Sequence, residues 1–152
     1  MRWLLLLAAL AAWPIAAAAS PDLGALLQGL NAARIESGLN PLEPDPTLTR
    51  IAADYATLMA ERDCLAHDCD GGRASARALA AGWYFTYIGE ALAGGPPDAE
   101  GALALWLGSP RHRDILLNPE LSSVGLGYAY RQTDLGRAPF GHYWVVTVGL
   151  PQ

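Results

Sequence analysis

Apolar residues recur at helical spacing early in this sequence and alternate in its last quarter. That switch of period constrains the fold more than any other feature. Leu23, Leu26, Leu27, Leu30 and Ala33 mark a first helix, with Asp22 placed to cap its start and Gly38 to stop it. Asn40-Pro41-Leu42-Glu43-Pro44-Asp45-Pro46 is a proline-rich loop that breaks the helical pattern. Thr47 is placed to cap a second helix whose stripe is Leu48, Ile51, Tyr55, Leu58 and Met59. Ala74 to Ala81 reads as a short third helix closed by Gly82, and Trp83 to Ile88 as an extended aromatic segment. Asp98 opens a fourth helix carrying Ala99, Ala102, Leu103 and Trp106, which Ser109-Pro110 ends. Val124, Leu126, Tyr128 and Tyr130 then alternate as a strand. Gln132 to Pro139 reads as a hairpin connection, and Tyr143 to Leu150 as a second strand. Helices first and antiparallel strands last predict an α+β fold, a small sheet covered by helices.

The first nineteen residues read as an export signal rather than as part of that fold. Arg2 supplies the positive end, Trp3 to Ala12 a short apolar run, and Ala16 to Ala19 the small residues a signal peptidase needs. Cleavage after Ala19 makes Ser20 the first residue of a single domain over 20–152. The run is short for a membrane span of about 20 residues, and no later segment is long and apolar enough to be one. The expected address is secreted or periplasmic.

All positive charge comes from arginine, and the formal net charge is −5. Such a balance offers no basic surface for phosphates, which excludes nucleic acid as a partner. Export places Cys64 and Cys69 in an oxidising compartment, where two nearby cysteines predict a disulfide around Cys64-Leu65-Ala66-His67-Asp68-Cys69. The rival reading is a zinc site of Cys64, His67 and Cys69, which lacks a second well-spaced ligand pair.

Three side chains carry most of the candidate chemistry. His67 lies in the cysteine loop, His112 follows Ser109-Pro110, and Glu90 stands in the otherwise apolar run Gly89-Glu90-Ala91-Leu92-Ala93. A buried carboxylate needs a partner, and histidine is a natural one. Two imidazoles and a carboxylate suit a divalent metal with an open position, or a general acid/base set. Their spacing matches no local motif such as H-E-x-x-H. Ser109 and His112 are three apart, without the G-x-S-x-G setting of a nucleophile. Asp68 and Asp70 before Gly71 match only the start of a calcium loop and read as a solvated acidic turn. Trp83, Tyr84, Phe85 and Tyr87 are either core or the lining of a hydrophobic groove.

Taken together, the motifs resemble the CAP superfamily (SCP domain), which includes the cysteine-rich secretory proteins, antigen 5 and the plant pathogenesis-related proteins. The likeness is to its short bacterial secreted branch and runs from about Leu26 to Leu150. It is carried by Asn31-Ala32-Ala33-Arg34, Gly38-Leu39-Asn40-Pro41-Leu42, Tyr55, Met59-Ala60, His67, Gly71 and Arg77. Gly89-Glu90, Trp106, Ser109-Pro110-Arg111-His112-Arg113, Asn118-Pro119, Val124-Gly125-Leu126-Gly127 and Tyr143-Trp144 continue it.

The resemblance implies an α-β-α sandwich with a cleft holding two histidines and acidic residues. His67 falls on the family's first histidine, Glu90 on its Gly-Glu-Asn acid and His112 on its second histidine. Ser109 stands where eukaryotic members carry a second glutamate. Ala91 and Val146 replace an asparagine and a glutamine usual in the family. The cleft set is thus His67, Glu90, His112 and Ser109, with His67, His112 and Glu90 as candidate ligands of Zn²⁺ or another divalent metal. The function this implies is a binding module for a small molecule, a lipid or a cell-envelope component, acting as a monomer. The alternatives are a metal-assisted hydrolase with Glu90 as base, or a purely structural triad.

Overall fold

The computed structural model describes residues 21–132 and 140–152, so the segment expected to be an export signal and most of the expected Gln132–Pro139 connection lie outside the described residues. Among the described residues the elements are α1 (Leu23–Glu36), β1 (Glu43–Pro44), α2 (Pro46–Arg62), α3 (Ala74–Ala80) and β2 (Phe85–Gly94). They continue with α4 (Ala99–Gly108), α5 (Pro110–Leu116), β3 (Ser123–Tyr130) and β4 (His142–Pro151). The strands form one sheet in the order β1-β3-β4-β2, in which only the β1–β3 pairing is parallel.

β4 is the central strand, and its alternation builds a layer on each face. Trp144, Val146 and Val148 pack with Leu26 and Leu30 of α1, Trp106 of α4 and Leu116 of α5. Tyr143 and Val145 point the other way, onto Tyr55, Ala56 and Met59 of α2. A third cluster of Leu48, Ile51, Ala78 and Trp83 ties α3 to α2. The result is helix layer, sheet, helix layer, as the resemblance implied. Burying each such Leu or Val side chain contributes about 1.5–3 kcal/mol. The glycines of Val124-Gly125-Leu126-Gly127 set the spacing between layers. A Cβ at Gly125 or Gly127 would overlap the α2 main chain at Leu48 or Ala52. Only glycine lets that helix lie so close to the strand.

Several local readings hold. Asp22 caps α1 by accepting from the Gly24 and Ala25 N–H groups, and Gly38 takes a positive φ just past its end. Asp98 caps α4. Others need correction. Asp45, not Thr47, caps α2, because its carboxylate accepts from both the Thr47 and Leu48 N–H groups while Pro46 fills the first helical position. Ser109-Pro110 does not merely end α4. It joins α4 directly to α5, with Pro110 again at the first helical position. The extended segment after Gly82 runs on to Gly94 as β2, and the proline-rich loop contributes the two-residue β1.

Candidate functional site

The site forms where the two helical layers part around the outer edge of β2. Among the described residues β2 pairs only with β4, and no strand lies on its other edge. α3 stands on one side of that edge and α5 on the other. α5 approaches closely because Gly89 carries no side chain: a Cβ there would lie 2.7 Å from Ile115 Cγ2. Between the helices lies a depression of about 230 Å³ whose lining includes His67, Glu90 and His112. Arg73 and Arg111 stand at its rim, on the α3 and α5 sides.

The α3 side is interlocked. Glu90 has only 4% of its side chain exposed, and both of its oxygens are engaged. His67 Nδ1 lies 2.8 Å from Oε1, and Arg77 donates to Oε2 at 2.7 Å. Arg77 also donates to Asp70 Oδ1 at 3.1 Å and to the Gly72 carbonyl at 3.0 Å, and its guanidinium lies 3.5 Å above the centre of the Tyr55 ring. The Tyr55 hydroxyl donates to the Ala66 carbonyl and accepts from the Cys69 N–H, so it pins the loop that carries His67. Burial pushes the Tyr55 phenol up from its ordinary value, which keeps it a donor. Cys64 and Cys69 close the same loop as a disulfide. With their sulfurs bonded to each other, the rival Cys64/His67/Cys69 zinc site is ruled out. Asp70 belongs to the Arg77 network and accepts from the Gly72 N–H, so the start of a calcium loop is not one.

The α5 side is sparse. His112 is half-buried and, among the described residues, its ring makes no hydrogen bond. Burial lowers its pKa from the ordinary histidine value, and the nearby His67 and Arg111 lower it further. It is therefore an uncharged imidazole at neutral pH, with a lone pair to offer. Ser109 does not reach the depression. It lies at the α4–α5 joint, makes no side-chain cap and has no hydrogen bond to His112 among the described residues. The aromatic segment divides. Trp83 is core, with its indole N–H donating to Asp45 Oδ2, Tyr84 is exposed, and Tyr87 lines the depression.

The structure thus joins His67 to Glu90, sets His112 across the depression and leaves Ser109 out. No group of three His, Cys, Asp or Glu side chains stands together at metal-ligating separation among the described residues. Sequence reading gave Arg77 no role, although a lone arginine in Ala74-Ser75-Ala76-Arg77-Ala78-Leu79-Ala80 signals a need for a distant anion. It named Arg34 only within the family motif and gave it no structural role, yet Arg34 is fully buried and donates to the Asn40, Leu116 and Asn118 carbonyls, tying α1 to the end of α5.

A three-layer sandwich of this topology defines a class of fold, and the comparisons with known proteins name the family. The pattern of the cysteine-rich secretory protein family (CAP) matches residues 27–148, and the chain belongs to that family. An uncharacterized protein of Borreliella burgdorferi is 30% identical over 113 residues, which cover 74% of this chain and 72% of that protein. YkwD of Bacillus subtilis, also uncharacterized, is 30% identical over 99 residues, and the match spans 38% of its length. An outer surface protein from Borrelia burgdorferi superposes with a TM-score of 0.76 at 25% identity, covering 86% of this chain and 93% of that one. An extracellular SCP-domain protein of Bacillus anthracis shares the fold, with a TM-score of 0.72 at 23% identity over 84% of this chain and 39% of that one. No described helix is long and apolar enough to cross a membrane.

Proposed function

We propose that this chain is an exported binding domain, led out by residues 1–19 and folded from 20 onward. Its depression takes a ligand through the imidazoles of His67 and His112. The observation that carries this reading is the double engagement of Glu90. With Nδ1 committed to Glu90, His67 has Nε2 left as its free ring nitrogen, and a carboxylate behind an imidazole is the arrangement that orients a metal-ligating histidine. The donor set fits a divalent ion such as Zn²⁺ held by two imidazoles, with Glu90 orienting His67 rather than ligating. Such an ion would supply an open coordination position for a donor atom of the ligand. The extracellular and outer-surface descriptions of the Bacillus anthracis and Borrelia proteins support a secreted or periplasmic address.

The hydrolase alternative is less well supported. A general base needs an oxygen open to the attacking water, and both oxygens of Glu90 hold protein partners. Calorimetric titration of the exported protein with Zn²⁺ near pH 7.5 tests the proposal. One equivalent should bind, and uptake should be lost in both His67→Ala and His112→Ala. Unchanged uptake in either variant, or none in the wild type, would overturn the two-imidazole site.

A further inference from the structure

We propose that the depression selects an extended acidic peptide, which adds as a strand to the free edge of β2 and is gripped by Arg73 and Arg111. The inference deepens the binding reading above by naming the ligand class. It rests on that reading only in taking the depression as a ligand site.

The first support is the direction of the main chain. The Arg131 N–H donates to the Gly141 carbonyl, so the odd residues of β4 bond towards β3. The Gly95 N–H donates to the His142 carbonyl, so the even residues of β4 bond towards β2. The register Gly89↔Val148 and Ala91↔Val146 then commits the odd residues of β2 to the β4 ladder. The N–H and C=O groups of Ile88 and Glu90 therefore point away from β4, on the edge of β2 where both residues line the depression. Among the described residues no side chain or neighbouring main chain takes these groups. A row of alternating donors and acceptors matches another extended main chain. A free anion would use the donors and leave the acceptors unmet.

The second support is charge. Arg73 and Arg111 are exposed and unpaired among the described residues, whereas Glu90, the carboxylate between them, is already neutralised by Arg77. On a chain of net charge −5 this rim is a local cationic spot. The other open strand edge lacks it: beyond the two-residue β1, the edge of β3 ends at Arg131, which is paired with Asp63.

The geometry also fixes spacing. Side chains of an added strand alternate between faces, one towards α3 and Arg73, the other towards α5 and Arg111. Acidic residues one or three apart therefore meet both arginines, and acidic residues two apart meet only one.

Fluorescent hexapeptides test this by anisotropy on the whole exported protein, with chelator present. A threonine- and valine-flanked peptide with adjacent glutamates should bind roughly tenfold tighter than its lysine counterpart. It should also bind tighter than a version with the glutamates two apart. Arg73→Ser and Arg111→Ser should each weaken binding and leave the melting temperature unchanged, since both side chains are exposed. N-methylation at alternate peptide residues, in either phase, should abolish one register of strand pairing while sparing charge. No saturable binding up to millimolar peptide would overturn the proposal, as would binding that survives both methylation phases or both arginine changes. The Zn²⁺ titration is read separately. Arginine variants that keep Zn²⁺ uptake but lose peptide support the strand-edge site, and loss of Zn²⁺ uptake with peptide binding intact overturns the metal reading alone.

Discussion

On the α3 side of the depression, His67, Glu90, Arg77, Asp70 and Tyr55 hold one another through hydrogen bonds, ion pairs and a stacked guanidinium. On the α5 side, His112 and Arg111 stand on a seven-residue helix with no side-chain hydrogen bond among the described residues. The two histidines look equivalent in the sequence, yet they answer to different physics. One wall is preorganised, with each polar group fixed by another. The other presents an uncharged imidazole and a cation whose bonding capacity is unmet among the described residues. A binding site needs both: a rigid wall limits the entropy lost on association, and an unsatisfied wall provides the gain.

The largest test of this contrast is Arg77→Met. It strands Glu90 in a site that leaves 4% of the side chain exposed, and breaking a buried pair on one side costs about 3–5 kcal/mol. Urea denaturation should show that loss. The double variant with Glu90→Gln should recover part of it, which measures the coupling. A loss below about 1 kcal/mol would mean the α3 wall is not interlocked.

Next in size is the disulfide. The Cys64–Cys69 ring is short, and removing it with Cys64→Ser and Cys69→Ser should cost about 2 kcal/mol on the loop-entropy argument. Because Tyr55 also pins this loop, Zn²⁺ affinity should fall less than in a Tyr55→Phe variant that keeps the disulfide. The reverse order would make the disulfide the main support of His67.

Smaller still is the effect of His112→Gln on stability at neutral pH, expected within about 0.5 kcal/mol for a side chain that holds nothing in place. Its signature is in the pH dependence. Folding lowers the pKa of His112 below 6.5, so between those values the unfolded chain binds more protons than the folded one. Stability therefore rises with pH across that window and is lost as pH falls from 6.5 towards the folded value. The wild type should show a steeper slope there than His112→Gln. Equal slopes would place His112 in water rather than in the depression.

Much of the fold was legible because its signals are local. Asp22 and Asp98 announce helix starts, and Gly38 a stop. Alternation marks β3 and β4. What was misread had two meanings in one place. Ser109-Pro110 both stops α4 and starts α5, because proline is excluded from a helix interior and favoured at its first position. Asp45 lay hidden among prolines, though only its carboxylate reaches two free N–H groups at once. β1 is two residues long and exists because β3 offers it an edge, which no local pattern encodes. At the site, His67, Glu90 and His112 were nameable from residue type and family likeness. Arg77 and Arg34 were named only as part of that likeness, and their roles were not legible, because their partners lie far along the chain or are main-chain carbonyls.

The most direct test of the central claim follows the histidine ring ¹⁵N resonances by NMR while Zn²⁺ is added to the chain from Ser20 onward. His67 Nε2 and one ring nitrogen of His112 should shift together and stop at one equivalent. His142 should stay still, since its Nδ1 is bonded to the Tyr128 hydroxyl outside the depression. Movement of one imidazole alone, or of all three without saturation, would contradict a site shared by the two walls.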